Sequence, residues 1–151
     1  MRKLLLVVIA LALSTSALAQ TQYRGSVKFV CGKADEEINN FAFSPGIYYT
    51  TINVTNQNLE SRVVGQKRFS IALARQEPGR FTELFRWVLR PGQAMQIDCS
   101  DIYKHLDVSP GKFIDGFVYI VGSPRFDVSA VYTVSDGDRP VSIDVEPVVL
   151  R

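Results

Sequence analysis

Histidine is almost missing from this chain: His105 is the only one in 151 residues, beside two cysteines, two methionines and one tryptophan. A metal centre built on several imidazoles is thereby excluded, and a Ser-His-Asp or Cys-His catalytic unit has one candidate base. No G-x-S-x-G elbow accompanies it. Cys31 and Cys99 stand far apart rather than in a C-x-x-C motif, which removes the usual signature of a tuned redox thiolate. Basic runs are absent as well, and beyond Leu13 no apolar stretch is long enough to cross a bilayer.

The start of the chain carries the clearest single signal. Arg2 and Lys3 form a positive n-region, Leu4 to Leu13 is an unbroken apolar run, and Ala17-Leu18-Ala19 before Gln20 matches the A-x-A cleavage pattern of a secretory signal. The expectation is a signal peptide over residues 1–19 and one domain over residues 20–151, periplasmic or secreted. No cysteine follows the small residues to carry a lipid anchor. Cleavage removes two basic residues and no acid, leaving 15 basic against 15 acidic side chains. A neutral domain takes away the electrostatic footing of a nucleic-acid or anionic-membrane role.

Apolar residues recur with period two along most of the chain beyond Gln20, the pattern of an antiparallel β-sandwich. Val27, Phe29 and Cys31 form one inward set; Tyr48, Thr50, Ile52 and Val54 another; then Phe69, Ile71 and Leu73; Met95, Ile97 and Cys99; Val128, Ala130, Tyr132 and Val134; and Val141, Ile143 and Val145. Phe85 to Leu89 and Phe113 to Val121 add two strands, the second apolar on both faces and therefore central. Pro-Gly pairs at Pro45-Gly46, Pro78-Gly79, Pro91-Gly92 and Pro110-Gly111, with Asp136-Gly137-Asp138, read as turns. The one helical turn expected is Ser100 to Leu106, with Ser100 as cap and Ile102 and Leu106 sharing a face. Both cysteines fall on inward positions at strand ends, so a disulfide between them is expected, and closing that loop contributes roughly 4 kcal/mol in the chain-entropy account.

The segments Phe29-Val30-Cys31-Gly32, Pro45-Gly46-Ile47-Tyr48, Thr51-Ile52-Asn53-Val54-Thr55-Asn56, Asp98-Cys99-Ser100-Asp101-Ile102, Gly116-Phe117-Val118 and Asp127 to Thr133 together resemble exported bacterial β-sandwich proteins. The resemblance implies an immunoglobulin-like architecture of about 7–9 strands and a bacterial envelope setting, and it brings no activity or site residues with it. Trp87 lacks the spacing of the core tryptophan in antibody domains, which argues against a true immunoglobulin-superfamily member.

Chemistry-bearing groups are few. Asp101 precedes His105 by one helical turn and is placed to orient its ring, although a surface histidine beside an acid is the commoner outcome. Asp98 with Asp101, the acidic loop Asp35, Glu36 and Glu37 before Asn39 and Asn40, and Asp136 with Asp138 offer oxygen ligands but no complete calcium motif. Copper has too few soft ligands once the cysteines pair. What stands out is the stretch from residue 80 to 90, where Arg80, Phe81, Arg86, Trp87 and Arg90 combine residue types enriched at binding hot spots. These five form the candidate binding patch, against the alternative that Phe85 and Trp87 are core and the arginines solvate the outer face. The expectation is a non-enzymatic binding or structural accessory module with a protein partner in the cell envelope, no cofactor, no metal and no nucleic acid. The second reading is a small-ligand or carbohydrate module that stacks on Trp87 or Tyr49.

Overall fold

The computed structural model describes residues 21–35, 43–72, 77–137 and 139–151. The expected signal segment with its Gln20 start, residues 36–40 of the acidic loop, Leu73 and Asp138 lie outside the described residues. Among the described residues, nine antiparallel strands and one helix run in the order β1 (Tyr23–Ala34), β2 (Gly46–Thr55), β3 (Val63–Ala72), β4 (Pro78–Phe81), β5 (Phe85–Leu89), β6 (Ala94–Asp98), α1 (Cys99–Leu106), β7 (Ile114–Ser123), β8 (Asp127–Asp136) and β9 (Arg139–Val148). No helix among the described residues is long and apolar enough to cross a membrane.

Pairing divides the strands into two halves. In the first, β7 lies between β1 and β3, with Val118 opposite both Val27 and Phe69, and the far edge of β3 carries β5 and β4 end to end. In the second, β2 pairs with β8 along one edge and with β6 along the other, and β8 carries β9. The expected central position of β7 is what is observed.

Strand β1 belongs to both halves. Its residues up to Cys31 pair with β7, and Gly32 to Ala34 pair with Tyr48 to Gly46 of β2. The change of partner falls at Gly32, whose φ of 94° suits glycine, and where a Cβ would stand 2.3 Å from the Lys112 carbonyl oxygen. Before that point β1 and β2 splay apart, and side chains replace the backbone ladder. The Thr50 hydroxyl accepts from the Val30 N–H and donates to the Val30 carbonyl, both at 2.9 Å, and the Tyr132 hydroxyl donates to the Lys28 carbonyl at 3.0 Å. At the start of β1, Arg24 and Arg151 exchange two backbone hydrogen bonds. Polar backbone groups that diverging strands would leave orphaned are thus satisfied.

Both halves fill one core. Phe29, Phe69, Val118 and Ile120 from the first meet Ile52, Val54, Ile97 and Ala130 from the second, each at most 2% exposed. Full burial of such a side chain contributes about 1.5–3 kcal/mol. Cys31 and Cys99 form the expected disulfide, 68 residues apart in sequence, tying the end of β1 to the first residue of α1. Buried Asn56 anchors the loop after β2: its side-chain amide donates to the Ser61 and Leu89 carbonyls, and its oxygen accepts from the Asn58 N–H.

Three expectations need correction. The helix cap is Asp98 rather than Ser100: the Asp98 carboxylate accepts from the Ser100 and Asp101 N–H groups, and the Asp101 carboxylate in turn accepts from the Asp98 N–H. A carboxylate at position 98 closes a reciprocal capping box that a serine at position 100 cannot. Pro78-Gly79 does not turn; it opens β4, pairing with the end of β3. Ile143 and Val145 do not face the core. Val145 lies opposite Val131 and Ile143 opposite Thr133, on the outer face, while Glu146 takes the side of buried Ala130. Residues 142–147 are exposed on both faces, and β9 reaches the core only at its end, through Val148.

Candidate functional site

The stretch from residue 80 to 90 does not form one surface. Arg80, near the end of β4, sends a guanidinium N–H to the Leu106 carbonyl at 3.1 Å, capping the C-terminal turn of α1 where positive charge is favoured. Phe81 is exposed, with the Arg68 guanidinium 5.4 Å from its ring centre. Arg86 sits on the outer face of β5 and Arg90 in the turn beyond it, both exposed. Trp87 takes the inner face and is 7% exposed. Its ring meets Phe126 edge-on at 5.2 Å and fills the space left by Gly65 of β3, where a Cβ would approach Trp87 Cζ2 to 2.2 Å. A ring packed this way offers no stacking platform, so Trp87 leaves both the candidate patch and the carbohydrate reading. Period-two geometry is the cause, since consecutive residues of β5 point to opposite faces.

His105 is likewise committed to packing. Its ring lies stacked on Phe69 at 4.9 Å with 15° between planes, and tilted on Phe85 at 4.2 Å. Burial lowers its pKa, neighbouring Lys67 and Lys104 lower it further, and Asp101 opposes them. The Asp101 carboxylate is engaged by the backbone at the start of α1 and does not serve as a dedicated ring orienter. Lys67 approaches from the inner face of β3, its own pKa lowered by burial, with its ammonium 6.0 Å from the Phe69 ring. Among the described residues no group of three or more His, Cys, Asp and Glu side chains is placed to hold a metal ion. Asp98 is held below the usual carboxylate range: burial works against ionisation, and hydrogen bonds from the Asp101 and Ser100 backbone, the Tyr49 hydroxyl and Gln96 outweigh it.

The surface that does emerge is the outer face of β2, β8 and β9. Register places Tyr49, Thr133 and Ile143 in one cross-strand row and Asp98, Thr51, Val131 and Val145 in the next. Ile47 and Tyr49 are exposed on β2, and on β9 Ile143 and Val145 are 66% and 61% exposed. The only charge in these rows is Asp98, which the Tyr49 hydroxyl already engages. β9 is also an edge strand, with β8 as its only strand partner among the described residues. An apolar sheet face continuous with an unpaired edge is the arrangement that takes an added strand or a flat protein partner. The alternation of Ile143 and Val145 with Asp144 and Glu146 is visible in the sequence; which side meets the core is not.

No family model matches the chain, and no curated protein matches it. Among solved structures, the crystal structure of Thermotoga maritima 1070 is similar in fold, with a TM-score of 0.51 at 4% identity over 86% of this chain and 93% of that one.

Proposed function

We propose that this protein is a periplasmic or secreted, non-enzymatic binding or structural accessory module of immunoglobulin-like sandwich type that engages a protein partner through the β2–β8–β9 face and the free edge of β9. The observation that carries the reading is the exposure of Ile143 and Val145 on an edge strand whose residues 142–147 lie open on both faces. Leaving apolar side chains of this size in water forgoes their burial energy, and a partner that covers them recovers it. The Cys31–Cys99 disulfide supports an oxidising compartment and hence export. A small-ligand or carbohydrate role retains Tyr49 alone of its two platforms.

The test places a photocrosslinking side chain at position 143 and, as control, at exposed Lys104 on α1 in the protein expressed in its own cell. One defined protein adduct at 143, absent at 104 and lost when Val145→Asp is added, is the expected result. Val145→Asp itself leaves stability within about 0.5 kcal/mol, since the site is exposed. Equal adducts at both positions, or an adduct indifferent to Val145→Asp, overturns the reading.

A further inference from the structure

The outer face of the other half of the sheet carries a different chemistry. Register across β5, β3, β7 and β1 aligns Arg86, Gln66, Val121 and Arg24 in a single row, and the backbone pairing of Arg24 with Arg151 extends it by one more strand. At about 4.8 Å per strand the row runs roughly 19 Å. The next row holds Arg68, Tyr119 and Ser26. Two adjoining depressions of about 470 and 810 Å³ open on this face and share Gln22 and Val121. Arg62 and Arg86 line the first and Arg24, Arg68 and Arg151 the second, and no acidic residue lines either.

Five arginines therefore border the two depressions with no acidic side chain in the lining of either. The one salt bridge among the described residues on this face is that of Lys28 with Asp115, further along β1 and β7. Apolar side chains stand between the arginines. Leu84, Tyr119 and Val149 line the same depression as Arg24, Arg68 and Arg151, and Leu84 and Val149 are 52% and 78% exposed. Arginines alone suit any polyanion. Exposed leucine and valine among them add nothing to a phosphate chain or an acidic glycan, whereas at a bilayer surface they enter the acyl boundary while the guanidiniums meet anionic headgroups.

We infer that this face is a peripheral docking surface for anionic phospholipid. The occupant is a lipid bilayer bearing phosphate headgroups. The face lies apart from the β2–β8–β9 surface, so its success or failure is independent of the protein-binding reading.

Sedimentation of the purified exported protein with vesicles tests it. Equimolar phosphatidylglycerol and phosphatidylcholine vesicles carry the protein down at low salt, and phosphatidylcholine vesicles alone do not. Arg24→Ala with Arg86→Ala weakens binding roughly fivefold per arginine. Lys104→Ala with Lys112→Ala, which removes the same charge from exposed positions elsewhere, leaves it unchanged. Leu84→Ser with Val149→Ser weakens vesicle binding but not binding to dextran sulfate. All the substituted side chains are exposed, so the fold tolerates their replacement. No binding to anionic vesicles overturns the proposal. So does vesicle binding that the Leu84 and Val149 changes leave intact, which would make the face a general polyanion site.

Discussion

His105 shows what a single titratable side chain does when its partners are aromatic. Phe69 and Phe85 cover the ring, burial and the Lys67 ammonium disfavour its charged form, and Asp101 compensates only in part. Its folded pKa lies below the ordinary 6.5. The unfolded chain therefore takes up the proton first as pH falls, so the stabilisation is present above that value and is lost on acidification toward the folded pKa. Asp98, lowered from 3.8, titrates below this window. Urea midpoints measured between about pH 7.5 and 5.5 are expected to fall for the parent and to stay flatter for His105→Phe. Parallel curves would rule out His105 as the titrating group. Trp87 makes the complementary point about reading residues in a row. Its alternation with Phe85 and Leu89 identifies an inward position, whereas its neighbourhood of arginines suggests a patch. Alternation is a statement about geometry and composition is not, and the ring lies where the geometry puts it.

Elements built on local rules are the most legible. Strands β1, β2 and β8 follow from period-two alternation, β7 follows from a run apolar on both faces, and the pairing of Cys31 with Cys99 follows from two inward positions at strand ends. Positions set by a neighbouring strand are not legible: Pro78-Gly79 has the composition of a turn and becomes a strand because the end of β3 offers it a ladder. Asp98 and Ser100 are both good caps, and the choice rests on which residue lets Asp101 bond back. The disulfide is the element-scale tie with the largest expected effect. Replacing Cys31 and Cys99 together by alanine removes a closure spanning 68 residues and is expected to cost roughly 4 kcal/mol in denaturant unfolding. A loss below about 1 kcal/mol would mean that the Gly32 crossover and the Thr50 hydroxyl already fix this corner without the bond.

At the scale of the whole molecule, the neutral balance read from the sequence conceals an uneven distribution. Arg24, Arg62, Arg68, Arg86 and Arg151 are scattered along the chain and meet only through cross-strand register, which is why no basic run announces them. The chain from residue 20 to 151 is accordingly expected to be retained on a cation exchanger at neutral pH despite its zero formal charge, with Arg24→Ala and Arg86→Ala eluting earlier; elution of the parent in the void would show that the charges are too dispersed to act together. The shared strand β1 has a consequence in time as well as space. It leaves the ribosome before all its partners, yet Val27 pairs with Val118 and Arg24 with Arg151. Such distant pairings are slow to form and cannot begin until most of the chain has been made. The first strand to be synthesised is thus among the last to be completed, and its edges wait for partners made at the far end of the chain.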